Sequence, residues 1–185
     1  KIFKFALQKL GYEIKKTAKP QTLEQVVTLK PNGVSKGNVL LAYILEPFLG
    51  QDLDSFTSHT HFWESYQIAK TFLDMGYSVD VIDYRNHSFT PNITYTLFVS
   101  ARVYFEKIAK KINADCLKIV HLDTAHWLKN NSANYQRALD FQKRRGVSIK
   151  SAKLVEPNWA IEYADCATVL GNDFTIDTYR YAKKE

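Results

Sequence analysis

The sequence predicts a doubly wound parallel sheet between two helical layers, a three-layer α/β/α sandwich. Three observations carry this expectation. Residues 38–45 (NVLLAYIL) form a near-continuous apolar run, the pattern of a strand covered on both faces. From there on, strand and helix patterns alternate along the chain, as parallel βαβ units require. A chain of 185 residues, 45% hydrophobic and 24% charged, is long and apolar enough for one domain with a real core.

The elements follow in order. Phe3, Ala6, Leu7, Leu10 and Ile14 recur at helical spacing among lysines, which predicts a basic amphipathic helix ended by Gly11 or by the Lys19-Pro20 step. Residues 20–37, with Pro20, Pro31, Asn32 and Gly33, read as a linker, so 1–37 form a helix-and-linker segment ahead of a domain over 38–185. The first strand, 38–45, leads into a polar loop and a helix over 61–75 stopped by Gly76. Strands are then expected over 78–83 and 96–100, a helix over about 102–112, and a strand over 117–122. A helix over 131–145 ends at Gly146, a short helix occupies about 159–163, a strand 167–170, and a last helix about 174–184.

The net charge of +6 raises the question of nucleic acid or a membrane. Residues 1–36 hold eight lysines against Glu13 and Glu24, and the remainder carries 17 basic and 17 acidic side chains. The basic segment has no arginine, the residue favoured for phosphate and base contacts, so nucleic acid is not an expected partner. An amphipathic basic helix instead allows peripheral contact with an anionic membrane through residues 1–18, although packing on the domain is the simpler explanation of such a stripe. No apolar run reaches the roughly 20 residues needed to span a bilayer. Cys116 and Cys166 lie far apart without C-x-x-C spacing, which fits a reducing compartment, and a cytoplasmic location is expected.

Motifs exclude several chemistries. The chain has no G-x-G-x-x-G after its first strand, no phosphate loop of the G-x-x-x-x-G-K-[ST] type and no G-x-S-x-G elbow between a strand and a helix, its G-x-S-x-G match at residues 33–37 lying in the linker. With the common order 3-2-1-4-5 for strands counted along the chain, ligands would bind where the loops after the first and fourth strands face each other. Those two segments hold four of the five histidines: His59, His61, His121 and His126. His121-x-Asp123 at a strand end suits a general base oriented by a carboxylate, and it suits a hydrogen-bonded core histidine equally well. Asp52-x-Asp54 invites a divalent metal, yet a solvated loop explains it more simply, and no metal is expected. Two readings stay open: a flavodoxin-like ligand- or protein-binding module, and a metal-assisted hydrolase built on Asp52, Asp54, His121, Asp123 and His126.

Two stretches carry a resemblance. The run Ser58-His59-Thr60-His61-Phe62-Trp63-Glu64, continuing through Ile68-Ala69-Lys70-Thr71-Phe72-Leu73 and Gly76-Tyr77-Ser78-Val79-Asp80-Val81, resembles the first βαβ unit of GT-B glycosyltransferases of the group 1 (family 4-like) type. Residues 164–175 (ADCATVLGNDFT) resemble the strand and turn that follow later in that family. The resemblance implies the Rossmann-like N-terminal half of a GT-B architecture. Its activity would be retaining transfer from a nucleotide-sugar donor, bound as substrate, to a sugar-bearing acceptor, without a metal. It places His121 or His126 near the transferred sugar as the catalytic candidate, and His59, His61, Asp123 and Trp127 along the acceptor side. It also implies a C-terminal donor-binding domain that this chain lacks, hence no activity alone. Two positions depart from the family: Thr57-Ser58-His59-Thr60 replaces a Gly-Gly loop, and Gly171 replaces a serine.

Overall fold

The computed structural model describes residues 23–50 and 59–184. The expected N-terminal helix, Asp52, Asp54 and Thr57-Ser58 therefore lie outside the described residues. The six strands are β1 (Val26–Leu29), β2 (Asn38–Tyr43), β3 (Ser78–Asp83), β4 (Leu97–Ala101), β5 (Leu117–Leu122) and β6 (Cys166–Val169). The helices are α1 (Thr60–Asp74), α2 (Phe105–Ala109), α3 (Trp127–Arg145), α4 (Ala160–Tyr163) and α5 (Asp173–Asp177). The strands form one sheet in the order β1-β3-β2-β4-β5-β6, parallel except for β1.

The sheet is apolar on both faces, as the central strands' sequences require. Val39, Leu41, Val79, Val81 and Val99 pack with Ala69 of α1 on one side. Leu40, Ala42, Ile82, Phe98 and Val120 pack with Phe105 and Ile108 of α2 and Ile161 of α4 on the other. Alternation along each strand separates the two sets. Phe98 and Phe105 stack with ring centroids 4.9 Å apart, fastening α2 to the sheet.

Two expectations are corrected. Residues 20–37 are not simply a linker: β1 adds antiparallel to β3, from Val26 opposite Ile82 to Leu29 opposite Val79. Pro and Gly punctuation obscured a four-residue strand whose alternate side chains are half-buried. The strand order is also different. Counted as in the sequence analysis, the five parallel strands run 2-1-3-4-5, because the loop after β3 carries the chain across β2 to pair β4 with it. The order therefore reverses between β2 and β4, and this is where the crevice opens.

Helix boundaries move for local reasons. α2 starts only at Phe105 because Tyr104 has a left-handed backbone (φ 57°), which frees Arg102 and Val103 from helical geometry. α3 begins four residues early, since the His126 side chain accepts from the Leu128 amide as its N-cap. The expected C-terminal helix divides into α5 and a 3-10 turn over Arg180–Ala182. Asn172 caps α5 by accepting from the Thr175 amide.

Candidate functional site

Strand register assembles the site. At the carboxyl end of the sheet, Asp83 pairs with Tyr43, Ala101 with His121, and His121 with Thr168. The β2–β4 register continues from Ala42 opposite Ser100 to put Tyr43 beside Ala101. One row thus crosses five strands on the α1 side. Because Ala101 is small, the rings of Tyr43 and His121 meet over it edge to face, centroids 5.7 Å apart.

The start of α1 closes over this row. The Ser65 hydroxyl donates to the Ile44 carbonyl at 2.7 Å, which ties the helix to the end of β2. That tie holds Glu64 where its Oε2 accepts from the Tyr43 hydroxyl at 2.9 Å and lies 2.7 Å from His61 Nδ1. A carboxylate only accepts, so His61 donates from Nδ1, and in the neutral ring the lone pair lies on Nε2. A histidine held by a carboxylate in this way is poised to take a proton at Nε2. Burial and the neighbouring Glu64 carboxylate push the Tyr43 phenol well above its ordinary range, so it stays a neutral donor.

On the other wall, the Arg102 Nε lies 2.9 Å from Asp123 Oδ1, joining the ends of β4 and β5. Between the walls lies a cleft of about 170 Å3, with His61, Tyr43, Arg102 and Asp123 among its lining residues and Tyr84 and Val103 beside them. Sites for whole drug-sized ligands run to roughly 300–1,000 Å3, so this cleft accommodates one ring-sized group. His121 flanks it: its Nδ1 is 2.7 Å from Thr168 Oγ1, and its Nε2 is buried without a hydrogen-bond partner. Burial lowers the His121 pKa, opposed by Glu64 and Asp123, which favours neutral imidazole near pH 7.

The expected site residues are thus divided. His61, His121 and Asp123 gather at the switch point, and the exposed His59 ring stands 5.4 Å from that of His61. His126 and Trp127 do not join them. His126 is buried under Tyr179 and Tyr181, its amide donates to Thr178 Oγ1 at 3.0 Å, and its Nε2 is 3.1 Å from the Tyr181 hydroxyl. Its role is to lock the chain's last turns to the start of α3, and Trp127 begins that helix beside it. Tyr43, Glu64, Arg102 and Thr168 were missed as members of the site. His61-x-x-Glu64 at a helix start was a readable signal, since residues three apart share a helix face.

Comparison with protein-family models, curated proteins and solved structures finds no match to this chain. Among the described residues no group of three His, Cys, Asp or Glu side chains is placed to hold a metal ion.

Proposed function

We propose that the chain is the acceptor-side domain of a retaining sugar transferase, working with a separate donor-binding domain. The observation that supports this reading best is the His61–Glu64 pair facing Arg102–Asp123 across a ring-sized cleft at the sheet's switch point. In this reading the acceptor oxygen bonds the anomeric carbon on the face from which the nucleotide diphosphate departs with the electrons of the broken C–O bond, while His61 Nε2 takes the acceptor's hydroxyl proton and Glu64 stabilises the imidazolium that results. Arg102 and Asp123 orient sugar hydroxyls, one as donor and the other as acceptor. His121, neutral and beside the cleft, hydrogen-bonds the sugar being transferred. The nucleotide of the donor is gripped by the second domain, and the activity is absent without it.

The test is donor turnover by the full-length protein on a panel of nucleotide sugars, with His61→Ala, His121→Ala and His126→Asn compared. His61→Ala should lose on the order of 100- to 10,000-fold in kcat, the usual range for a general base. Wild-type rates in both His61→Ala and His121→Ala would refute the assignment.

A flavodoxin-like binding module is the second reading, and the observed 2-1-3-4-5 order of the parallel strands favours it. It predicts saturable ligand binding at the same cleft with no turnover by any form of the protein.

A further inference from the structure

The stretch from α3 to residue 155 stands apart from the sheet. No side chain of α3 is fully buried, although the helix runs 19 residues. It is nevertheless built firmly. Beyond Gly146 the chain turns back and runs along the helix, pinned by a ladder of amide side chains. Asn131 Nδ2 donates to the Val155 carbonyl and its Oδ1 accepts from the Val155 amide, both at 2.8 Å. Asn130 and Asn134 each donate to the Lys153 carbonyl at 3.1 Å, and Gln142 donates to Ser148 Oγ at 2.6 Å. The result is a two-element paddle joined along its length by these hydrogen bonds.

Its surface has an unusual composition. Leu128, Tyr135 and Leu139 recur at spacings of seven and four, hence along one helix face, and each is at least half exposed. Val147, Ile149 and Leu154 of the returning segment are similarly exposed, and Ile149 forms a shallow apolar groove with Tyr135 and Leu139. The charge is equally uneven. Residues 127–155 hold Lys129, Arg137, Lys143, Arg144, Arg145, Lys150 and Lys153 against Asp140 alone. None of these seven cations forms an ion pair among the described residues. The neutrality of residues 37–185 as a whole therefore conceals a basic paddle balanced by an acidic remainder.

We propose that this paddle docks on an anionic membrane surface. The Leu128–Tyr135–Leu139 stripe and Ile149 would enter the headgroup boundary, with the cations meeting lipid phosphates and carboxylates. Aliphatic side chains exposed beside unpaired cations are what such a boundary rewards. A nucleic acid would use the cations but gain little from exposed Leu, Val and Ile, and the paddle offers one exposed aromatic ring, Tyr135, for stacking. No helix among the described residues is long and apolar enough to cross a membrane, so the contact is peripheral. The inference does not depend on the sugar-transfer reading.

The experiment is co-sedimentation of the whole chain with vesicles of phosphatidylcholine alone or with about one-third phosphatidylserine. The wild type should partition onto the anionic vesicles in a salt-sensitive way and hardly onto neutral ones. Lys143→Gln/Arg144→Gln/Arg145→Gln should weaken partitioning on the order of 100-fold. Leu128→Ser/Leu139→Ser should weaken it on the order of tenfold, with unchanged circular dichroism in both variants. Residues 1–22 are intact throughout, so undiminished binding in both variants runs outside the paddle and overturns the proposal. Equal partitioning onto neutral vesicles overturns it too. So does binding to single-stranded RNA, lost in the triple variant, with no partitioning onto anionic vesicles.

Discussion

Replacing Tyr95 by Phe removes one oxygen from the core and leaves the ring in place. That oxygen donates to Asp80 Oδ2 at 2.7 Å, and Thr28 Oγ1 donates to Asp80 Oδ1 at 2.6 Å. Tyr95 is 1% exposed and Asp80 9%, and Asp80 forms no ion pair among the described residues. The two hydroxyls are thus what compensates a carboxylate in the middle of β3. A hydrogen bond to a charged group contributes about 1.5–3 kcal/mol net, and this one is placed near the middle of that range. The Phe ring fills the same space, so no cavity term adds to it. We expect Tyr95→Phe to lower stability by about 2 kcal/mol, a fall of roughly 4–8 °C in Tm for a domain of this size. Urea unfolding followed by circular dichroism measures it. In an Asp80→Asn background the same substitution should cost at least about 1 kcal/mol less, because no charge is left uncompensated. A loss below about 0.5 kcal/mol, or an equal loss in both backgrounds, would refute the argument that a desolvated charge is being satisfied.

Other expectations can be measured alongside. Ala101→Leu should drive a branched side chain between Tyr43 and His121 and cost about 1–3 kcal/mol by overpacking, with the His121 ring resonances displaced; unchanged resonances would contradict the ring contact over Ala101. Burial depresses the pKa of both His121 and His126, so the unfolded chain takes up their protons first as pH falls below about 6.5. Their contribution is complete above that pH and lost as pH drops, so the urea midpoint should fall between about pH 7.5 and 5.5, and fall less in His126→Asn. An equal fall in the variant would remove His126 from the account. Gly171 has φ 148°, and a Cβ there would lie 2.5 Å from Thr175 Oγ1. Gly171→Ser should therefore cost about 1–3 kcal/mol, with Thr175→Ala recovering only a fraction because the Thr175 Cβ, 2.8 Å away, remains; an unaltered Tm would show that the turn tolerates a side chain.

Much of the fold was legible because it follows from local rules. The run 38–45 read as a strand covered on both faces, of which residues 38–43 form β2, and the alternation after it pointed to an α/β fold. Gly146 and Asn172 marked a helix end and a helix start, since left-handed backbone and side-chain capping are properties of single residues. The concentration of histidines after two strands pointed to the carboxyl end of the sheet, where His59, His61 and His121 lie.

What no local rule contained was which strands are neighbours. Strand order is a competition among pairings distant in sequence, and its outcome set β4 rather than β5 beside β2. That placed Arg102 in the cleft, let Ala101 make room for a Tyr43–His121 contact, and converted part of a linker into the edge strand that brings Thr28 to Asp80. Histidines five residues apart met opposite fates for the same reason: His121 lies on a strand facing the crevice, while His126 is enclosed by residues 52 to 55 positions further along the chain. Composition fixes how much charge and apolar surface a chain has. Only tertiary structure determines which of it is paired, which is buried, and which, as on the paddle of α3, is left facing outward.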